Sequence, residues 1–332
     1  MTAPLAAACR PSLLACLVPL LVIAANGEAA ASFREAGPRE VTHPPAPPLP
    51  WGGTGHAFVT RAALEHLPRA MPPFFLAARE RLEYLGPEPD RWRSRELREM
   101  NEAWTYDHYI DLENVPPGAL EEPDRYAFLS ALHRAGIERP QQFVGFLPWR
   151  ILELYQRLLT QFAIWRNTSP GPQRGHVEAR IVYDAGLLGH FAADAAQPHH
   201  TTIHFNGWTE GAPNPEGYTT DRGFHARFES GFINAHLAYE DVEGRVSRAP
   251  DRLSDPRAAV WNHVQESNTL VETLYRLEKE HGFGAGNPAH PETVSFAAER
   301  LAAGAEMLRD LWWTAWVASE GLAEERRTEG WR

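Results

Sequence analysis

The sequence predicts an all-α fold, and three observations agree on it. From His56 onward, apolar residues recur at three- and four-residue intervals, which is the spacing of one face of a helix. Segments that alternate apolar and polar residues, as half-buried strands do, are scarce. Pro- and Gly-rich stretches such as LGPEPDRWRS and NVPPGALEEPDR separate the helical segments. We therefore expect a single-domain bundle of about eight to ten helices, with loops that carry part of the chemistry.

Six segments of the sequence are predicted to be helical. Two segments, YDAGLLGHFAADAAQ (183–197) and FHARFES (224–230), have helical spacing and also contain histidines and acidic residues. The other predicted segments are HAFVTRAALEHL (56–67), PPFFLAARERLEYL (72–85), QQFVGFLPWRILELYQRLLTQFAIW (141–165) and TVSFAAERLAAGAEMLRDLWWTAWVASEGLAEE (293–325).

The first 50 residues predict export. Arg10 precedes an apolar run and small residues follow it, so residues 1–31 are interpreted as a signal peptide. The run is shorter than the roughly 20 residues of a membrane-spanning helix, so we expect no transmembrane segment. HPPAPPLP marks residues 32–50 as a Pro-rich leader or linker. We expect one domain over residues 51–332, exported to the periplasm or the extracellular space, with no obligate protein partner.

Composition narrows the chemistry. The chain has a formal net charge of −11 at pH 7, and uncompensated negative charge repels phosphate backbones. Any reaction on nucleic acid or phospholipid therefore needs metal. Both cysteines, Cys9 and Cys16, fall in the predicted signal peptide, so we expect no disulfide and no thiolate ligand in the mature protein.

One short stretch, GHFAADAAQPHH, concentrates metal-binding residue types. His190 and Asp194 are four residues apart, so on a helix they share one face and can reach one ion. Pro198 ends that helix, and His199 and His200 follow in the turn.

A second pair repeats this geometry, since His225 and Glu229 are also four residues apart on a predicted helix. His108 stands in DHYIDLE and Asp90 stands in a proline-flanked loop. Each residue alone is more typical of a surface pair, a turn or a hydrogen-bonded core group. Together they form a set of imidazoles and carboxylates, which zinc accepts when cysteine is absent.

These motifs resemble the superfamily of zinc-dependent phospholipase C and the single-strand-specific zinc nucleases of the nuclease P-one type. WGGTGH, HYID and the combination of HFAAD with QPHH are the segments that carry the resemblance. The resemblance implies three zinc ions and selects His200 rather than His199 as a ligand. It implies one ion held by Asp90, His108, His190 and Asp194, a second by His200, His225 and Glu229, and a third by Trp51, His56 and a bridging Asp194.

The third ion is the point at which the chain departs from the family. There the ion is bound by the free amine and carbonyl of an N-terminal tryptophan, which requires cleavage just before it. The best signal-peptidase site here lies near Ala31, well upstream of Trp51. Either a second protease trims the leader, or the ion binds through His56 and Asp194 with water.

The resemblance implies phosphodiester hydrolysis, with Asp90 also a catalytic proton acceptor. We expect most of all a single-strand-specific nuclease for DNA or RNA, with possible 3′-nucleotidase activity. The alternatives are a phospholipase C, since Glu229 is the phospholipase variant, and a non-catalytic zinc-stabilised binding domain. The roles of His199 and His204 stay open. The candidate substrate-binding residues near the ligands are Tyr109, Phe205, Asn206 and Trp208.

Overall fold

The computed structural model describes residues 52–94 and 96–329. The predicted signal peptide, the Pro-rich leader and Trp51 lie outside the described residues. The domain boundary at residue 51 therefore stays a prediction. In the described part of the chain, we find no helix with the length and apolar character needed to traverse a lipid bilayer.

The described residues fold into helices and form no β-strand, which confirms the all-α prediction. Short 3-10 turns stand between several helices, at Pro89–Trp92, Thr105–Asp107, Leu112–Asn114, Ala119–Glu121 and Pro198–Thr201. The α-helices are α1 (Gly52–Glu65), α2 (Pro73–Leu76), α3 (Arg79–Leu85), α4 (Arg98–Trp104), α5 (Arg125–Arg134), α6 (Pro140–Phe143), α7 (Leu147–Asn167), α8 (Pro172–Ala196), α9 (Phe224–Ala226), α10 (Ile233–His236), α11 (Tyr239–Glu243), α12 (Pro256–Thr269), α13 (Val271–His281) and α14 (Pro291–Glu329).

Four long helices, α1, α7, α8 and α14, pack against one another and form the core. Helix α8 lies in the middle, and its C-terminal half is almost entirely buried. Small residues allow this close packing, because a Cβ added at Gly304 of α14 would lie 3.3 Å from the backbone of Ala193 in α8. The largely buried helix α8 therefore carries His190 and Asp194, the first part of the histidine-rich stretch.

Two of the predicted helices are broken. The segment 72–85 forms α2 and α3, and the segment 141–165 contains α6 and α7. The second break occurs at Gly145, whose φ of +84° is left-handed. A side chain there would also meet the carbonyl oxygen of Tyr109 at 2.2 Å. A close approach of two backbones, which no helical periodicity can reveal, therefore decides where α7 begins.

The predicted helix FHARFES contains a wider turn. Helix α9 passes into a π-helical turn at Arg227–Phe232, which continues directly into α10. The backbone N–H of Ile233 bonds to the carbonyl of Phe228, five residues earlier, rather than four. Such turns occur often at functional sites, and this one carries Glu229.

Candidate metal centre

Helix α8 supplies two of the predicted ligands from its buried last turns. His190 and Asp194 are both buried. Nδ1 of His190 donates to the carbonyl of Gly86 at 2.9 Å, and Nε2 lies 3.3 Å from the Asp194 carboxylate. A histidine that donates one ring nitrogen to a carbonyl is held in the orientation in which its other nitrogen can bind a metal.

His108 and His200 come from two segments whose backbones are joined by hydrogen bonds. The N–H of Ile110 donates to the carbonyl of His200 at 2.8 Å, and Nδ1 of His200 donates to the carbonyl of His108 at 2.5 Å. His200 lies next to α8 because Pro198 begins a 3-10 turn immediately after that helix. These bonds bring His108 to the end of α8.

We call Asp90, His108, His190 and Asp194 the α8 cluster. Nδ1 of His108 lies 2.9 Å from Nε2 of His190 and 3.1 Å from Oδ2 of Asp194. Oδ1 of Asp90 lies 3.8 and 3.9 Å from the same two ring nitrogens. Two ligand atoms on one tetrahedral zinc, with bonds of about 2.0 to 2.1 Å, are about 3.3 Å apart. The spacing of the α8 cluster therefore suits a single ion.

His56, on α1, faces both carboxylates of the α8 cluster. Its Nε2 lies 3.7 Å from Oδ1 of Asp194 and 3.9 Å from Oδ2 of Asp90, and its ring stacks on His190 at 4.0 Å. Each carboxylate thus turns one oxygen towards His108 and His190 and the other towards His56. This orientation is the one that a bridging carboxylate requires. Trp51, which the resemblance implies as a ligand of the same third ion as His56, lies outside the described residues.

A second group, the π-turn cluster, consists of His200, His225 and Glu229. Oε1 of Glu229 lies 2.9 Å from Nε2 of His200 and 2.8 Å from Nε2 of His225. The side-chain amide of Gln197 donates to the same oxygen at 3.2 Å. Nδ1 of His200 is also 3.8 Å from Oδ2 of Asp194, so the two clusters are adjacent. The side chain of His225 is the more exposed of its pair with Glu229, at 22% against 3%.

The electrostatics of the centre favour bound positive charge. Burial alone would raise the pKa of Asp194, but His190 and His200 hold this pKa well below its usual value. Burial alone would lower the pKa of His200, but Asp194 and Glu229 raise this pKa to about 9. Burial raises the pKa of Asp90. The carboxylates therefore hold protons on His190 and His200, and divalent ions can replace that charge.

The donor set fits zinc. The centre offers five imidazoles and three carboxylates within the described residues, and the two cysteines lie in residues 1–31. Nitrogen and oxygen ligands in this mixture suit zinc, whereas Mg²⁺ and Ca²⁺ prefer sites made of oxygen. In each of three groups, the ligand atoms lie within 4.8 Å of one another: His56 with Asp90 and His190, His108 with His190 and Asp194, and His200 with His225 and Glu229.

Comparisons with known proteins do not identify a family for this chain. No protein-family model matches the chain, and no curated protein matches it. A crystal structure of the alpha-toxin of Clostridium perfringens, from an avian strain, is similar to this chain with 12% sequence identity and a TM-score of 0.36. The similarity covers 82% of this chain and 65% of the toxin chain, so this chain spans slightly less than two thirds of the toxin's length. A TM-score this low does not establish a common fold.

The four candidate substrate-binding residues have different surroundings. Tyr109 is partly buried and donates its hydroxyl to a backbone carbonyl of α6 at 2.7 Å. Phe205 is 46% exposed, and Asn206 is partly buried. One face of Trp208 is covered by the ring of His204, with 3.9 Å between ring centroids and 10° between planes. Phe205 is therefore the most accessible ring of the set.

The two histidines whose roles stayed open are both buried. His199 stacks on His225 with ring centroids 4.7 Å apart, so it supports a predicted ligand from the side. His204 accepts a hydrogen bond from the backbone N–H of Thr209 at 3.0 Å and stacks on Trp208, so it orders its own loop.

Three further groups border the predicted ligands. The guanidinium of Arg93 lies 3.5 Å from Oδ1 of Asp90, and its side chain is 38% exposed. Neither Gln197, which donates to Glu229, nor the carbonyl of Gly86 was predicted as part of the centre. Gln197 stands inside the QPHH motif and could have been found there. A backbone carbonyl leaves no signal in a sequence.

Proposed function

We propose that this protein is an exported zinc-dependent phosphoesterase, and that its substrate is the phosphodiester of a phospholipid headgroup, as in a phospholipase C. The observation that carries the proposal is the convergence of eight predicted ligands, from segments spread over residues 56–229, on one largely buried centre. A structural zinc site is closed by four ligands. Two adjacent clusters, with His56 facing both carboxylates of the α8 cluster, are more typical of hydrolytic sites with several metal ions.

The expected reaction breaks one ester bond. The oxygen of a water molecule bonds to phosphorus, the bond from phosphorus to the glycerol oxygen breaks, and that oxygen takes up a proton. Bound zinc supplies water of lowered pKa and positive charge near the phosphate. Three zinc ions, if bound as the resemblance implies, would outweigh the three carboxylates of the centre and leave an excess of positive charge where an anion must bind.

Residues of this chain supply the remaining functions. Asp90 accepts the proton of the attacking water, because its carboxylate lies beside His108 and His190 in the α8 cluster. Arg93, beside Asp90 and partly exposed, binds a phosphate oxygen from the solvent side. His190 and Asp194 hold the centre together from α8.

Two features favour a phospholipid over a nucleic acid. Glu229 stands where the resemblance places glutamate in the phospholipases and aspartate in the nucleases, and it contacts both histidines of its cluster. The net charge of −11 is the second feature. A headgroup brings one phosphodiester to the centre, whereas a strand brings a row of phosphates to an acidic protein.

A single-strand-specific nuclease remains the second candidate, because Phe205 presents an exposed ring five residues after His200. A ring in this state can stack on an unpaired base. Trp208 favours this candidate less, since His204 covers one of its faces.

The test is a direct comparison of substrates. The purified protein, loaded with zinc, is offered phosphatidylcholine vesicles, single-stranded DNA and single-stranded RNA, and the products are identified by phosphorus NMR and mass spectrometry. We expect phosphocholine and diacylglycerol from the vesicles. Asp90→Asn should lower the rate by about 100-fold or more, in line with the loss of a proton acceptor. Asp251→Asn, at an exposed aspartate, is the matched control and should leave the rate unchanged.

If the protein cleaves single-stranded DNA or RNA and leaves the vesicles intact, the protein is a nuclease and the phospholipase proposal is wrong. A zinc-loaded protein that is inert on all three substrates would favour the non-catalytic zinc-stabilised domain.

A further inference from the structure

His108 lies in a segment between helices, unlike the ligands on α8. The main-chain hydrogen bonds of α8 fix the backbone at His190 and Asp194. His108 instead stands at the end of the 3-10 turn Thr105–Asp107, and the residues after it form no helical turn until Leu112. The position of His108 therefore depends on the contacts that anchor this segment to the helices around it.

Asp107, the residue before His108, is the main side-chain anchor of this segment. It is a carboxylate with only 1% of its surface exposed. Oδ1 accepts a hydrogen bond from Arg125 of α5 at 2.9 Å, and Oδ2 accepts one from Nε of Arg150 of α7 at 2.7 Å. A second nitrogen of Arg150 lies 2.6 Å from Oδ2. Because charge-assisted bonds are roughly twice as strong as neutral ones, these bonds hold the buried carboxylate in one place.

The two arginines are themselves held by a second carboxylate. Oε1 of Glu153, on α7, lies 2.7 Å from Nε of Arg125, and Oε2 lies 3.1 Å from Arg150. The guanidinium of Arg150 also lies over the ring of Trp104, 4.4 Å from its centroid. This closed network fixes Asp107 relative to both α5 and α7.

Main-chain hydrogen bonds anchor the residues on either side of His108. The N–H of Phe146 donates to the carbonyl of Tyr106 at 2.7 Å, and the N–H of Leu147 donates to the carbonyl of Tyr109 at 3.1 Å. Both donors stand where α7 begins. The segment is thus joined to α7 at residues 106, 107 and 109, and His108 is the residue enclosed by these joints.

His108 transmits this position to both clusters. Its Nδ1 lies 3.1 Å from Oδ2 of Asp194, and its carbonyl accepts the hydrogen bond from Nδ1 of His200. A shift of the segment would move one ligand of the α8 cluster and the carbonyl that orients one ligand of the π-turn cluster. Outer contacts of this kind change metal affinity by about 10- to 100-fold.

We propose that Asp107 is a positioning residue of the metal centre, and that its bonds to Arg125 and Arg150 set the position of His108 for zinc binding. This inference rests on the proposed zinc centre, but it does not depend on which phosphodiester is the substrate. The carboxylate of Asp107 is bonded to the two arginines, so it acts through the backbone of His108 rather than as a ligand.

The test measures zinc affinity in a matched pair of variants. Asp184, on α8, is also a carboxylate with 1% exposure, and it accepts a hydrogen bond from Arg157 of α7 at 2.9 Å. Zinc affinity of the folded protein is measured by competition with a chelator. We expect the affinity to fall by about 10-fold or more in Asp107→Asn. Asp184→Asn should bind zinc as the wild type does, because the helix itself holds His190.

Two further measurements separate positioning from a general loss of stability. In the cobalt-loaded protein, the visible absorption of Co²⁺ depends on the geometry of its ligands, so we expect this spectrum to change in Asp107→Asn and not in Asp184→Asn. Arg150→Met leaves residues 105–109 unchanged and keeps Arg125 as a partner of Asp107. It should also lower the zinc affinity, whereas Arg157→Met, on the same helix, should not.

Equal zinc affinities and equal cobalt spectra in Asp107→Asn and Asp184→Asn would overturn the inference. If Asp107→Asn does not fold, equal affinities in Arg150→Met and Arg157→Met would overturn it in the same way. A wild type that binds no zinc would refute the zinc centre and this inference together. A protein that shows the difference in zinc affinity but cleaves no phosphodiester would support the inference and refute only the proposed function.

Discussion

Asp194 is the residue whose replacement should have the largest effect on the metal centre. Oδ2 of Asp194 lies 3.1, 3.3 and 3.8 Å from ring nitrogens of His108, His190 and His200, and Oδ1 lies 3.7 Å from His56. Nε2 of His56, by contrast, faces the two carboxylates of Asp90 and Asp194. If three ions bind as the family resemblance implies, Asp194 contacts two of them and His56 contacts one.

We therefore expect Asp194→Asn to lose two zinc ions and to keep the one in the π-turn cluster. His56→Ala should lose one. An ion present at about a thousand times its dissociation constant stabilises the folded state by about 4 kcal/mol. Zinc-linked stability should then fall by about 8 kcal/mol in Asp194→Asn and by about 4 kcal/mol in His56→Ala.

The assay combines elemental analysis with denaturant unfolding, once in buffered zinc and once in chelator. Asp194→Asn also removes the partner of protonated His190 and His200, which destabilises the protein without any metal. The difference between zinc and chelator within each variant cancels this effect. Equal losses of zinc and equal differences in stability in the two variants would refute a bridging role for Asp194.

Two further predictions concern the core. Burial lowers the pKa of His263 to about 4, so acid protonates this residue in the unfolded chain first, and His263 alone should contribute a loss of about 2 kcal/mol of stability from pH 7 to pH 5. Urea unfolding of His263→Leu should lack this loss, and equal losses would contradict it. In Gly186→Ala the new Cβ meets Leu85 at 2.4 Å, which pushes α3 away from α8 and from His190, and costs about 1 to 3 kcal/mol. Gly175→Ala, on the same helix with open space around it, should cost nothing, and similar unfolding free energies for both variants would exclude the clash.

Local spacing explains why much of the candidate centre could be predicted. His190 with Asp194 and His225 with Glu229 are four residues apart on helices, and this spacing alone places each pair on one face. His200 follows a proline that must end α8. In these cases the position of each ligand depends on a few consecutive residues, so the sequence alone is enough to predict it.

The features that escaped prediction depend on distant parts of the chain. The break at Gly145 follows from the approach of Tyr109, and the covered face of Trp208 follows from the position of His204. The π-helical turn also has no periodicity of its own, because it adds one residue to an otherwise helical pattern.

The reciprocal bonds between the segments of His108 and His200 have a consequence for metal exchange. Because one main-chain bond and one bond from the His200 ring tie these two segments to each other, the spacing between the α8 cluster and the π-turn cluster is set by the polypeptide. If the proposed ions bind, we expect cobalt or cadmium in place of zinc to leave the spacing of the two clusters unchanged.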